Sequence, residues 1–193
     1  MKRWGLLCGV ILLFSIGASA QDEAPKVEAF GGYSYVRVNP GVNRLPGLNF
    51  NGGSGSLAYN FTPTLGVVAD FGGYHWSQGV VDATVVSYLF GPKVALRHGP
   101  ITPFAQILFG GVHGSGSVSG VVLCDARVRP QGTSQCTVSG SENAFAMTAG
   151  GGVDWNATTH IGIRLIQAEY LMTRFFSETQ NNARISAGVV FRF

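Results

Sequence analysis

Hydrophobic positions in this chain recur at every second residue, and convincing helical periodicity is absent. Period-two alternation is the mark of a β-strand with two unlike faces. The first run covers residues 27–38. The second covers 53–61, with Leu57, Tyr59 and Phe61 on one face and Ser56, Ala58 and Asn60 on the other. In the third, 64–75, Leu65, Val67, Ala69 and Phe71 oppose Gly66, Val68, Asp70 and Gly72. Runs at 84–96, 102–113, 143–155, 159–172 and 183–193 complete a set of eight. The intervals alternate in length. Those at 39–50, 76–83, 114–142 and 173–182 read as loops. Thr62-Pro63, 97–101 and 156–158 read as short turns. An even number of up-and-down strands, short turns on one side and long loops on the other, predicts a transmembrane barrel. Runs of this length suit tilted strands crossing a bilayer.

The two faces explain why the sheet must close. One carries Val, Leu, Ile, Phe and Tyr. The other carries Gly, Ala, Ser, Thr and scattered charges. A soluble sandwich would bury the first face and show Lys and Glu to water on the second, and such residues are scarce here. In lipid every backbone group needs an internal partner, so no strand edge can stay open. The expected fold is all-β: an eight-stranded antiparallel up-and-down barrel, with an interior that side chains largely fill. Tyr59, Phe61, Trp155, Phe191 and Phe193 fall near the short-turn side. Tyr33, Tyr35, Phe71 and Tyr88 fall higher, as two interfacial aromatic belts require.

Composition agrees with this reading. Of the 193 residues, 46% are hydrophobic and 12% charged, against about 25% charged in typical soluble domains. That excludes a disordered or solvated chain. The N-terminus reads as a signal peptide over 1–20: Lys2 and Arg3 are basic, an apolar run follows, and Ala18-Ser19-Ala20 is a small-x-small cleavage site. A short segment, 21–26, would then precede a barrel over 27–193. Cleavage removes two of the 13 basic residues, so the mature formal charge is 11 − 10 = +1. No basic patch of the kind nucleic-acid binding requires is present. Cys8 leaves with the leader, and Cys124 and Cys136 remain as an even pair in an exported protein, which reads as one disulfide in the longest loop.

The last strand carries an address as well as a pattern. Ile185, Ala187, Val189, Phe191 and Phe193 alternate to a terminal phenylalanine. This resembles the C-terminal assembly signal that the barrel assembly machinery reads by strand addition. The segments Glu28-Ala29-Phe30-Gly31-Gly32-Tyr33-Ser34-Tyr35 and Ala58-Tyr59-Asn60-Phe61-Thr62-Pro63 resemble the opening strands of the outer membrane protein β-barrel domain family, similar to OmpA-like and OmpX-like barrels. The resemblance implies a Gram-negative outer membrane location, periplasmic termini, and lipid and lipopolysaccharide as neighbours. Its motifs specify fold far better than activity. The implied role is structural or that of a narrow pore, with a surface adhesin acting through its loops as the alternative. A lipid A-modifying enzyme is the more remote one.

Alternation places Glu28, Asp70, Lys93, Asp154, Arg164, Arg184 and Arg192 inside. Strict alternation from Arg164 would put Gln167 and Glu169 in lipid, so a β-bulge near 165–167 is expected to return both to the interior. The charges should pair: Glu28 with Arg192, Asp70 with Lys93, and Arg164 with Glu169 or Asp154. His113-Gly114-Ser115 is similar to the His/Ser arrangement of lipid A deacylase barrels, with Glu142 as the nearest acid, but its Gly/Ser surroundings read as plain loop and no catalytic residue is assigned. His75, His98, His113 and His160 show no metal-ligand spacing. No cofactor is expected. The loop from Gly114 to Glu142 is where an extracellular ligand would meet the protein.

Overall fold

The computed structural model describes residues 25–39, 47–97, 99–120, 136–175 and 178–193. These form eight strands: β1 Val27–Val38, β2 Leu48–Asn60, β3 Leu65–Gln78, β4 Val81–Ala95, β5 Ile101–Gly120, β6 Cys136–Asn156, β7 Ile161–Phe175 and β8 Glu178–Arg192. Each pairs antiparallel with its neighbours in chain order, and β8 returns to β1, so the sheet is a closed barrel. The seam runs from Glu28↔Arg192 to Arg37↔Ala183. Val27 and Phe193 exchange backbone hydrogen bonds of 2.9 and 3.1 Å below it. The terminal phenylalanine therefore sits at the join between first and last strands. The predicted segment 1–20 and the pairing of Cys124 with Cys136 lie outside the described residues.

The outer surface is apolar. Leu57, Val67, Phe71, Phe90, Ile107, Phe109, Ile163 and Val189 all point away from the interior and remain exposed. Tyr59 and Phe61 meet edge to face at 5.3 Å, as do Phe71 and Phe90 at 5.8 Å. Towards the long-loop side, outward tyrosines lean onto asparagines of the adjoining strand. Tyr33 donates to Asn51 Oδ1 at 2.5 Å and Tyr35 to Asn49 Oδ1 at 2.7 Å. Tyr170 donates likewise to Asn181. An apolar ring with its hydroxyl tied to a polar side chain is the chemistry of a bilayer edge, where the body meets lipid and the tip meets water.

The strands run further on the long-loop side than hydropathy predicts. The interval 76–83 is no loop. β3 and β4 continue to Gln78↔Val81 and turn through Gly79 and Val80, with Gly79 at φ 65°. A left-handed backbone at that position favours glycine. Of the interval 114–142, residues 114–120 and 136–142 are strand, because β5 and β6 stay paired as far as Gly120↔Cys136. β2 begins at Leu48, and β7 and β8 remain paired up to Phe175↔Glu178. Beyond the bilayer both faces of a strand meet water, so the Ser, Gly, Thr and Asn found there mimic loop composition while the backbone ladder continues. The short turns lie where expected.

The bulge is present. Arg164 pairs with Gly188 and Gln167 with Ser186, so Leu165 and Ile166 share one opposing residue. Both are about half exposed and face outward, at 54% and 49%, while Gln167 is 2% exposed. One inserted residue thus turns two apolar side chains to lipid and brings Gln167 and Glu169 inside.

The outward assignment has a direct test. Ile107 lies six residues above the short-turn end of β5, near the bilayer midplane for a tilted crossing strand of about 9–11 residues, and faces lipid, so Ile107→Arg should cost about 2–4 kcal/mol. Denaturant unfolding from phospholipid vesicles measures it. An unchanged midpoint would show that this face does not meet lipid.

Candidate functional site

The site is the barrel interior, and it is built in tiers. All eight residues placed inside by alternation and the bulge, Glu28, Asp70, Lys93, Asp154, Arg164, Glu169, Arg184 and Arg192, are buried at 5% exposure or less. Their pairing differs in part from the expectation.

The tier nearest the short turns centres on Glu28. Lys93 Nζ lies 2.6 Å from its Oε2 and Arg97 Nη2 lies 2.9 Å from its Oε1. Arg192, the partner that strand register predicts, stands further off, with Nε 3.7 Å from Oε1. The expected pair is thus present as a longer contact, and Arg192 bridges two acids, its Nη2 lying 3.9 Å from Asp154 Oδ2. Arg164 Nε donates to Asp154 Oδ1 at 2.8 Å and its Nη1 donates to Gln167 Oε1 at 2.7 Å. The guanidinium of Arg164 also lies 4.3 Å from the ring centroids of both Phe30 and Phe104, so it is held between two aromatic faces. Gly162 gives room for Arg192, because a Cβ there would meet its guanidinium nitrogens.

The middle tier centres on Arg184. Its Nη1 lies 2.6 Å from Asp70 Oδ1 and its Nη2 lies 2.5 Å from Glu169 Oε2. Nη1 also donates to the Tyr74 hydroxyl at 3.2 Å. Gln106 Nε2 donates to the other oxygen of Glu169 at 2.8 Å. The expected pair of Asp70 with Lys93 is not formed. Asp70 stands opposite Leu89 and Lys93 opposite Gly66. Four residues of β3 therefore separate their levels, about 13 Å along the strand. The closed barrel brings Arg184 to Asp70 from across the lumen, which pairwise alternation cannot show. Arg164 takes Asp154 rather than Glu169.

Sequence reasoning missed Arg97 and Gln106. Arg97 lies two residues past the end of β4, in what reads as a turn, and its side chain reaches back to Glu28 and to the Pro63 carbonyl. Nothing local signals that direction. Gln106 has the parity of its inward neighbours, so alternation could have found it. The tiers together hold five cations (Lys93, Arg97, Arg164, Arg184, Arg192) against four carboxylates (Glu28, Asp70, Asp154, Glu169). Hydroxyls continue the network on the seam side, where Ser34 Oγ lies 2.5 Å from Ser54 Oγ and 2.6 Å from Ser186 Oγ.

The third tier corrects another expectation. The inward face is not uniformly small or polar. Towards the long loops Val36, Phe50, Tyr74, Leu89, Leu108, Val112 and Leu171 form a buried apolar cluster, with Trp76 packed against it. The Phe50 and Trp76 rings lie 6.3 Å apart.

His113 and Ser115 lie on β5, not in a loop. His113 Nδ1 is 2.9 Å from Asn143 Oδ1, its register partner on β6. Glu142 is adjacent to Asn143 and therefore projects from the opposite face of the sheet. Ser115 is exposed. Val189, Phe191 and Phe193, expected from the sequence to form an assembly signal, are all exposed on the outside. Among the described residues no three His, Cys, Asp or Glu side chains come together as a metal site.

Comparison with known proteins places this geometry. The family model described as outer membrane protein beta-barrel domain matches residues 6–193. No curated protein matches the sequence. Among solved structures, the attachment invasion locus protein Ail of Yersinia pestis is similar, with a TM-score of 0.60 and 18% identity over 87% of this chain and 99% of that one. Neisserial surface protein A is similar too, with a TM-score of 0.64 and 14% identity over 89% of this chain and 100% of that one. At such identities the likeness is one of fold.

The middle tier makes a quantitative prediction. Arg184→Met strands two buried carboxylates and should cost about 3–5 kcal/mol. Adding Asp70→Asn and Glu169→Gln should restore most of that loss. Urea midpoints of the vesicle-embedded variants test both statements, and an undiminished midpoint for Arg184→Met alone would remove the tier from the list of structural supports.

Proposed function

This chain belongs to the outer membrane protein β-barrel domain family, and on that premise we propose that it is a closed structural barrel of the outer membrane whose lumen does not conduct. It has its short turns and both termini on the periplasmic side. One observation carries the reading: the charged groups of the interior are spent on one another across the lumen. Arg184 reaches Asp70 on β3 and Glu169 on β7, and Lys93 and Arg97 converge on Glu28 of β1. An ion crossing here would have to break buried pairs and part the apolar cluster above them. A water-filled pore lines its charges with solvent instead.

A second reading, an interaction role at the cell surface, is favoured by a separate observation. β4, β5 and β6 project as a paired tongue beyond the rim, with β4 lying along β5 up to Val81↔Val118, and β6 meets β7 only from Phe145↔Arg174 downward. One face of that tongue has a polar concavity of about 420 Å³ lined by Asp82, Thr84, Ser115, Ser117, Ser139 and Ser141. A protein partner would meet this surface first. No hydrolase is proposed, because the His113 ring is partnered by Asn143 rather than by an acid.

Single-channel recording in planar bilayers tests the closed barrel. The folded protein should give no discrete steps. Steps that change size in Arg164→Ala would make it a gated pore. For the surface role, replacing 119–137 by a short turn, which leaves β4 its partners on β5, should leave heat-modifiable gel migration intact.

A further inference from the structure

The apolar third tier is not packed solid. Val36, Val38, Leu48, Phe50, Val85, Val112 and Leu171 enclose a cavity of about 180 Å³ inside the barrel wall, above Arg184. Thr173, Gln180 and Asn182 lie along one side. Val38, Leu48 and Gln180 are only half-buried, so the cavity reaches the long-loop rim there. Besides Thr173, whose hydroxyl is engaged by Gln180 and Asn182, two hydroxyls interrupt the apolar lining, those of Tyr74 and Ser87. Tyr74 Oη is engaged by Arg184. Ser87 is 2% exposed, and its Oγ has no hydrogen-bond partner among the described residues. Leaving a buried hydroxyl unpaired is costly, typically by about 1–3 kcal/mol.

Size, lining and the unpaired hydroxyl point to one class of occupant. Apolar cavities of about 150 Å³ take benzene, and this one is slightly larger. It lies within a closed wall, so bilayer chains do not reach it sideways. Its lining offers no unpaired charge to hold an ion. We propose that the upper lumen is a binding site for a free, small, uncharged molecule with an apolar body of benzene to cresol size and one hydroxyl group. The body fills the space between Val36, Phe50, Val112 and Leu171. The ligand hydroxyl pairs with Ser87 Oγ. The site goes beyond the closed-barrel reading and does not depend on it, since entry is from the rim and the ionic tiers below stay shut.

The test uses the whole mature barrel in phospholipid nanodiscs, with valine and leucine methyls isotope-labelled and p-cresol and toluene as probes. Detergent is avoided because its tails compete for the same cavity. The expected result is saturable shifts at the methyls of Val36, Val85, Val112 and Leu171. Outward Val67, Val86 and Val189 should show only the non-saturating drift of probe dissolved in lipid. Ser87→Ala should weaken p-cresol about fivefold, the worth of one hydrogen bond, and leave toluene unchanged. Val112→Phe should fill the cavity and abolish binding of both. If that variant does not fold, Leu171→Phe fills the same space from β7. Shifts confined to the outward methyls, or inward shifts that survive cavity filling, overturn the site. Equal affinity for the two probes in both the native protein and Ser87→Ala overturns the role given to the hydroxyl.

Discussion

Lipid offers no hydrogen bonds, and every other feature of this protein follows from that. A strand in the bilayer must pair on both edges, so the sheet has to close. Closure is achieved at the β1–β8 seam, where the last residues of the chain lie against the first strand. It fixes the interior as a narrow space that receives every inward side chain from eight strands at once. Groups distant in sequence become neighbours there, as Ser34 and Ser186 do.

A narrow interior cannot hold isolated charge. Removing one partner from a buried pair leaves the other uncompensated at a cost of several kcal/mol. The barrel meets this by shared partners. Arg184 serves two carboxylates and Glu28 serves two tight cations. Arg164 adds two aromatic faces to its carboxylate. The ionic tiers stop below the long-loop side, and above them the lumen changes to valine, leucine and phenylalanine. This division separates a stiff floor from an apolar chamber, and both the closed-lumen reading and the proposed ligand site rest on it.

The bulge at Leu165 and Ile166 shows how local irregularity serves the same constraint. Without it Glu169 would face lipid and Arg184 would lose a carboxylate. With it the two middle-tier acids flank one guanidinium. A one-residue insertion is thus the local device that the whole middle tier depends on.

The alternation along the chain by itself determined strand number, antiparallel order, which residues face lipid, and every charge of the interior tiers but Arg97. These are readable because side-chain direction in a strand repeats every two residues, and because a charge in lipid is costly enough to force a bulge into view. Sequence also carried the short turns, through Thr62-Pro63 and Asn156-Ala157-Thr158. The strand extensions past the rim were not legible, since solvated strands and loops draw on the same residues. Arg164 with Asp154, and the longer Glu28–Arg192 contact, were legible as neighbours on adjacent strands, whereas the partners met across the lumen were decided only by the tertiary structure. Alternation gives each side chain a face but no height, and which charges meet across the lumen depends on the stagger of all eight strands at closure. The same stagger brought Arg97 under Glu28, set Asp70 against Arg184 rather than Lys93, and gathered scattered valines and leucines into one chamber.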